Sequence, residues 1–200
     1  MAFTFFFRDR HTLEQLADQL IAFKKQGEQI KIWDAGCAMG PEPYTFAMIL
    51  REKIGNEWFQ NVQILASDID ELGNFQSIIN NGIYKKHELE RMPEDIFNKY
   101  FTQYDADEQF ILGDEIKNSL KFIKHDLLTL KPLDLNFDAI ICKNVLLHFE
   151  YKQRIDVLNM FHKVLNTNGL LTTEQTQSIP EEITDKFERL VSNANVFKKR

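Results

Sequence analysis

The chain predicts an α/β fold, a mostly parallel sheet with helices on both faces, and three observations carry that expectation. Short apolar runs bounded by turn residues alternate with segments of helical periodicity. Two of the runs, 120–125 and 137–142, are apolar enough for strands buried on both faces, as parallel strands are. A third, 30–35, passes through Gly36 and Gly40 into a helix, the local pattern of an open sheet with a ligand edge.

Each element has its own reason. Between Arg10 and Lys25, Leu13, Leu16, Ala17, Leu20 and Ile21 recur at helical spacing, and Gly27 closes the helix. Ile30–Ala35 reads as a buried strand. Pro41 and Pro43 then fall in the first turn of a helix, where no backbone donor is lost, and Tyr44, Ala47, Met48 and Ile54 continue it to Gly55. Val62–Ser67 is a second strand ending in Asp68-Ile69-Asp70, followed by a short helix over 71–81 closed at Gly82. The stretch 85–119 is more charged and less periodic, with a helix near Glu94–Phe101 and a hairpin around Gln109–Leu120. After the strands Leu120–His125 and Phe137–Cys142 comes a helix from Tyr151 to Leu165, ended by Asn168-Gly169 ahead of the strand Leu170–Glu174. Two last strands, Phe187–Val191 and Asn195–Lys198, flank the turn Ser192-Asn193-Ala194. A closing antiparallel hairpin of this kind is a feature of class I methyltransferases.

Composition narrows the classes. At 44% hydrophobic with 17 Phe, 200 residues suit one domain with a sizeable core. No apolar run is long enough to span a bilayer, and the opening MAFTFFFRDR has the reverse order of a secretory signal. Cys37 and Cys142 show no CxxC spacing, which leaves a soluble cytoplasmic protein as the expectation. A net charge of −6 with mixed signs along the chain argues against a nucleic-acid partner. The histidines show no HxH or HxxxH pairing, so no metal site is expected.

In an open sheet the ligand lies outside the carboxyl ends of the strands, so the residues to weigh are those just after each strand. Gly36 and Gly40 allow a tight turn and a close approach to the backbone. A dinucleotide loop would hold a pyrophosphate there, usually on GxGxxG. Here the pattern is DxGxxxG with Asp34 and Glu42 at its ends. Those carboxylates repel a pyrophosphate and suit a ligand with a cationic amine and sulfonium, favouring S-adenosylmethionine over a nicotinamide dinucleotide. Asp68 stands where a carboxylate can accept both ribose hydroxyls, and Asp68 or Asp70 can also cap the next helix. Asp126 and Leu127 could read an adenine or form a solvated strand end. Lys143, Asn144 and His148 border the fourth strand, where core packing does not explain polar groups.

These motifs, in this order, resemble the CheR family, the S-adenosylmethionine-dependent methyltransferases that esterify glutamate side chains on chemotaxis receptors. The passages are Thr4-Phe5-Phe6-Phe7-Arg8-Asp9, Ile32-Trp33-Asp34-Ala35-Gly36-Cys37, Gly40-Pro41-Glu42-Pro43-Tyr44 and Ala66-Ser67-Asp68-Ile69-Asp70. Further on come Asn81-Gly82-Ile83-Tyr84, Phe137-Asp138-Ala139-Ile140-Ile141-Cys142-Lys143-Asn144-Val145 and Asn168-Gly169-Leu170-Leu171. The resemblance covers nearly the whole chain. It implies a class I Rossmann-like methyltransferase fold over 1–200, with a small β-subdomain inserted at about 85–119 that in some members grips a receptor tail peptide. It also implies cofactor contacts from Thr4, Arg8, Glu42, Asp68, Asp126, Leu127, Lys143 and Asn144. The partner it implies is the cytoplasmic domain of a chemoreceptor.

The chain departs from the family pattern at several positions. Ala2 stands where Asn is usual, Pro41 where Glu is usual, Asp126 where Asn is frequent and Lys143 where Arg is usual. His148 replaces a Tyr beside the transfer site, and the GHSE-like stretch reads Glu174-Gln175-Thr176-Gln177. The family's helical domain ahead of the FFR motif has no counterpart in these 200 residues. The expected activity is that of a protein-glutamate O-methyltransferase, with Arg8 orienting the reacting groups and His148 bordering the methyl channel. A different protein or small-molecule acceptor, or a binding module without turnover, are the competing expectations.

Overall fold

The computed structural model describes residues 4–200. An N-terminal arm leads into α1 (Arg10–Ala22), β1 (Ile30–Ala35), α2 (Pro41–Phe59), β2 (Val62–Asp68) and α3 (Phe75–Asn81). A set of short elements follows: β3 (Ile83–Lys85), α4 (Lys86–Leu89), α5 (Glu94–Tyr100), β4 (Phe101–Gln103), β5 (Gln109–Leu112) and α6 (Asp114–Lys117). The chain then forms β6 (Leu120–Lys124), β7 (Phe137–Cys142), α7 (Tyr151–Val164), β8 (Leu165–Thr173), β9 (Phe187–Arg189) and β10 (Val196–Lys199).

The main sheet has seven strands in the order β6-β2-β1-β7-β8-β10-β9. The first five run parallel, and β10 pairs antiparallel with both β8 and β9. The expected fold class, a doubly wound α/β sheet closed by an antiparallel hairpin, is the one observed. The chain works outward from β1 through β2 to β6, then returns to β7 on the other side of β1. Strand order therefore reverses between β1 and β7, and the carboxyl ends of those two strands open the crevice.

Alternation along the strands divides the core into two layers. Ile30, Ile32, Ala139 and Ile141 join the layer built with α1, α2 and α3. Trp33, Ala35, Ile140 and Cys142 face the opposite layer with Leu158 and Phe161 of α7. Trp33 anchors that second layer: it is fully buried, meets the Phe161 ring edge-on at 5.2 Å, and donates its indole N–H to Ser67 Oγ at 2.8 Å. A buried indole finds a polar partner while its ring packs.

Several boundaries differ from the sequence reading for local reasons. α2 runs past Gly55 to Phe59, because Gly55 adopts a positive φ that joins two helical pieces. α3 begins at Phe75 because 71–74 turn over the buried Asp70, whose carboxylate accepts the Asn74 and Phe75 amides at 3.1 and 3.3 Å. Asn168-Gly169 does not end α7; it lies inside β8, where the pairing of β7 with β8 slips between Phe137 and Ala139. The hairpin expected around 109–120 does not form, since that stretch supplies a single strand of its sheet. β5 pairs with both β4 and β3 in a separate three-stranded sheet, and 114–117 turns helical after Gly113 donates to the Tyr100 carbonyl at 2.8 Å.

Candidate active site

The loop after β1 is built by backbone geometry. Gly36 and Gly40 have φ of +115° and +102°, and the Gly36 and Cys37 amides both donate to the Ser67 carbonyl at the end of β2, at 2.7 and 3.0 Å. A Cβ on Gly36 would stand 2.1 Å from Val145 Cγ2, so the glycine lets this loop close on the segment after β7. Glu42 sits in the first turn of α2, behind Pro41, which needs no helical donor there.

Around this loop opens a cavity of about 740 Å³, within the range of small-molecule sites. The structure brings ten of the residues singled out from the sequence to its walls. Thr4 and Arg8 come from the arm, Gly36 and Glu42 from the glycine loop, and Asp68 from the end of β2. Asp126 and Leu127 follow β6; Lys143, Asn144 and His148 follow β7. Asp34 is not on the walls: it is fully buried behind the loop, and neither carboxylate oxygen has a hydrogen-bond partner among the described residues.

The polar groups are held in sets. Lys143, only 3% exposed, places its ammonium 3.1 Å from Glu42 Oε2 and 3.1 Å from Asp9 Oδ2. Burial opposes the Lys143 charge, but Glu42 and Asp9 outweigh it and raise its pKa. Burial raises Glu42 as well, with Lys143 pulling it back. Asp34 is pushed well above the ordinary carboxylate range, first by burial and then by Glu42, against the pull of Lys143. Asp68 accepts the Ala38 amide at 2.9 Å and the Asp70 amide at 3.3 Å, which fixes its carboxylate at the cavity edge. Asp126 accepts the Leu128 amide at 2.8 Å as the cap of a single 3-10 turn.

The arm is pinned at three successive residues. Phe6 is fully buried with its ring edge-on to Tyr84 at 4.9 Å and to Phe101 at 5.6 Å, both in the three-stranded sheet. The Phe7 amide donates to Thr45 Oγ1 at 3.0 Å, and Arg8 Nη2 donates to Asn144 Oδ1 at 3.1 Å. The guanidinium of Arg91 stacks 4.1 Å over the Phe5 ring.

The CheR methyltransferase SAM binding domain model matches residues 2–196. This chain belongs to the CheR family. Among curated relatives it is 30% identical to a chemotaxis protein methyltransferase of Borreliella burgdorferi, over 88% of this chain and 64% of that protein. It is 31% identical to chemotaxis protein methyltransferase 2 of Vibrio cholerae, over 88% of this chain and 62% of that one. The chain thus spans a little under two thirds of the length of these relatives. Among solved structures it is similar in fold to a TehB-like SAM-dependent methyltransferase from Corynebacterium glutamicum, with a TM-score of 0.50, 16% identity, and coverage of 94% and 88% of the two chains.

Membership in the CheR SAM-binding family makes S-adenosylmethionine the cofactor, and the cavity fits that molecule. The glycine loop offers the close backbone approach, Leu127 a buried apolar face, and Asp68 a fixed acceptor at the rim. Acidic groups at Glu42 and Asp68 stand on the cavity side of the loop, which suits a cationic ligand better than a pyrophosphate. His148 is exposed at the lip, and its neighbour Leu147 is exposed beside it. The Ala2 position in the CheR comparison lies outside the described residues.

Other wall residues were not singled out as contacts in the sequence. Ile69, Leu128, Val145 and Phe149 line the cavity, and Asp9 completes the Lys143 pair. Glu174, just past the end of β8, accepts the Asn144 amide at 3.1 Å. Its place after a strand end was the available signal, the one that found every wall segment except the arm.

Proposed function

We propose that this chain transfers the methyl group of S-adenosylmethionine to a carboxylate, the side chain of a glutamate in the cytoplasmic domain of a chemotaxis receptor. The observation that carries the reading is the joining of Arg8 to Asn144 across the cavity mouth, at the point where strand order reverses. The chain's place in the CheR family and the names of its relatives support it.

Bound there, the cofactor supplies an electrophilic methyl group on a sulfonium. A glutamate side chain is ionised at neutral pH, so the protein needs no strong base to activate it. Arg8 orients the acceptor, its planar fork matching a carboxylate, while its bond to Asn144 fixes the direction of approach. Glu42, Asp68, Asp126, Lys143 and Asn144 hold the cofactor; Thr4, Gly36 and Leu127 shape the space around it, and Asp34 backs the loop from its buried side. His148 borders the channel on the solvent side. We read residues 1–200 as one domain, with the three-stranded sheet as an insertion that helps hold the receptor. The setting is the cytoplasm, and no described helix is long and apolar enough to cross a membrane.

Titration calorimetry with S-adenosylhomocysteine, followed by labelled methyl transfer to receptor fragments, tests the reading. Binding together with a base-labile methyl ester on the receptor is the expected result. No binding refutes it, and transfer confined to other acceptors replaces the receptor.

A further inference from the structure

The stretch after β8, where the CheR pattern has GHSE and this chain has Glu174-Gln175-Thr176-Gln177, is braced by Arg154 and Asn195. Arg154 of α7 donates from Nη1 to Gln177 Oε1 at 2.8 Å and from Nε to the Phe149 carbonyl at 2.9 Å. The Asn195 side-chain amide, at the start of the strand β10, donates to the Glu174 and Gln177 carbonyls at 2.7 and 2.9 Å. Within this braced turn the Glu174 side chain is 4% exposed and aims back toward β7. Its Oε2 accepts the Asn144 amide at 3.1 Å, and its Oε1 is buried without a hydrogen-bond partner among the described residues.

Asn144 needs such a support. Its φ is +60°, a left-handed conformation that asparagine adopts more readily than other side chains but that still disfavours an unrestrained chain. In that conformation its amide points away from the strand ladder at Glu174, while its carboxamide oxygen accepts Arg8 at 3.1 Å. A buried carboxylate is a costly group to place where an apolar or absent side chain would pack, so its contact with a single amide is its evident task.

We propose that Glu174 is a positioning residue: its carboxylate holds the Asn144 backbone so that the Asn144 carboxamide receives Arg8 at the cavity wall. The inference rests on the proposed function for its consequence, since Arg8 and Asn144 are there assigned to the cofactor and acceptor. The altered turn thus replaces one means of shaping the wall with another.

Calorimetry with S-adenosylhomocysteine on the full chain, for the wild type, Glu174→Ala, Glu174→Gln, Arg8→Ala and the Glu174→Ala/Arg8→Ala pair, tests it. Glu174→Ala weakens binding about tenfold, the worth of one hydrogen bond to a charged acceptor. Glu174→Gln, which keeps an oxygen acceptor, recovers most of that loss, and Arg8→Ala costs less in the Glu174→Ala background than alone. Unchanged affinity in Glu174→Ala, or an Arg8→Ala loss equal in both backgrounds, overturns the proposal. If Glu174→Ala does not fold, Glu174→Asp, shorter by one methylene, is held to the same outcomes. If the wild type does not bind the ligand, the functional reading falls, and hydrogen exchange at the Asn144 amide decides the positioning role. Faster exchange in the 174 variants upholds it, and equal exchange overturns it.

Discussion

Lys143 and Glu42 form a buried ion pair across the cavity wall, with Nζ 3.1 Å from Oε2 and side chains 1% and 8% exposed. Two charges removed from water are tolerable together and costly apart. Replacing Lys143 by Met strands Glu42 beside the buried Asp34. The expected loss is about 3 kcal/mol of folding stability, read by urea unfolding. Lys143→Arg retains the charge and most of the stability.

Asp34 makes stability depend on pH in a stated direction. Burial, reinforced by Glu42, raises its folded pKa well above the ordinary value of 3.8. The stabilisation linked to its bound proton is complete below that ordinary value and is lost as pH rises through the raised one. Asp34→Asn removes the titration, so urea midpoints measured from pH 4 upward fall less steeply than those of the wild type. Parallel slopes in the two proteins would reject a protonated Asp34.

Arg8 is half-buried at the cavity mouth and bonded to Asn144. Arg8→Ala abolishes methyl transfer while lowering the melting temperature only modestly, because the arm keeps its anchors at Phe6 and Phe7. Turnover equal to that of the wild type would remove Arg8 from the reaction.

Phe6 is the deepest of those anchors. Phe6→Ala empties a fully buried aromatic site between Tyr84 and Phe101, at a cost of about 3–5 kcal/mol. Releasing the arm also withdraws Thr4 and Arg8 from the cavity. S-adenosylhomocysteine affinity therefore falls along with stability, whereas a core truncation remote from the arm, such as Leu158→Ala in α7, lowers stability alone.

The sheet was legible because its strands are short apolar runs between turn residues, and each parallel strand was placed within a few residues. Boundaries failed where one residue overrode local pattern. Gly55 carries α2 through a break, and Asn168-Gly169 bends a strand instead of ending a helix. The three-stranded sheet was indistinct because its strands are three or four residues long and pair across intervening helices, leaving no periodicity to read. Candidate wall residues were legible where they directly follow a parallel strand, whereas Thr4 and Arg8 of the arm came only from the family resemblance. Asp34 was found by the same rule yet lies behind the wall, because strand alternation turns its side chain inward. Glu174 was missed as a contact because its partner is a backbone amide 30 residues away, and no motif encodes such a bond.

Tyr84 belongs to β3, yet its hydroxyl donates to the Met39 carbonyl at 2.9 Å, inside the glycine loop, while its ring receives Phe6. A single side chain of the inserted sheet is therefore a structural part of the cofactor loop. A different segment grafted between α3 and β6 would have to carry a tyrosine in register with that carbonyl. The three-stranded sheet and the glycine loop in this chain are thus not separately interchangeable parts.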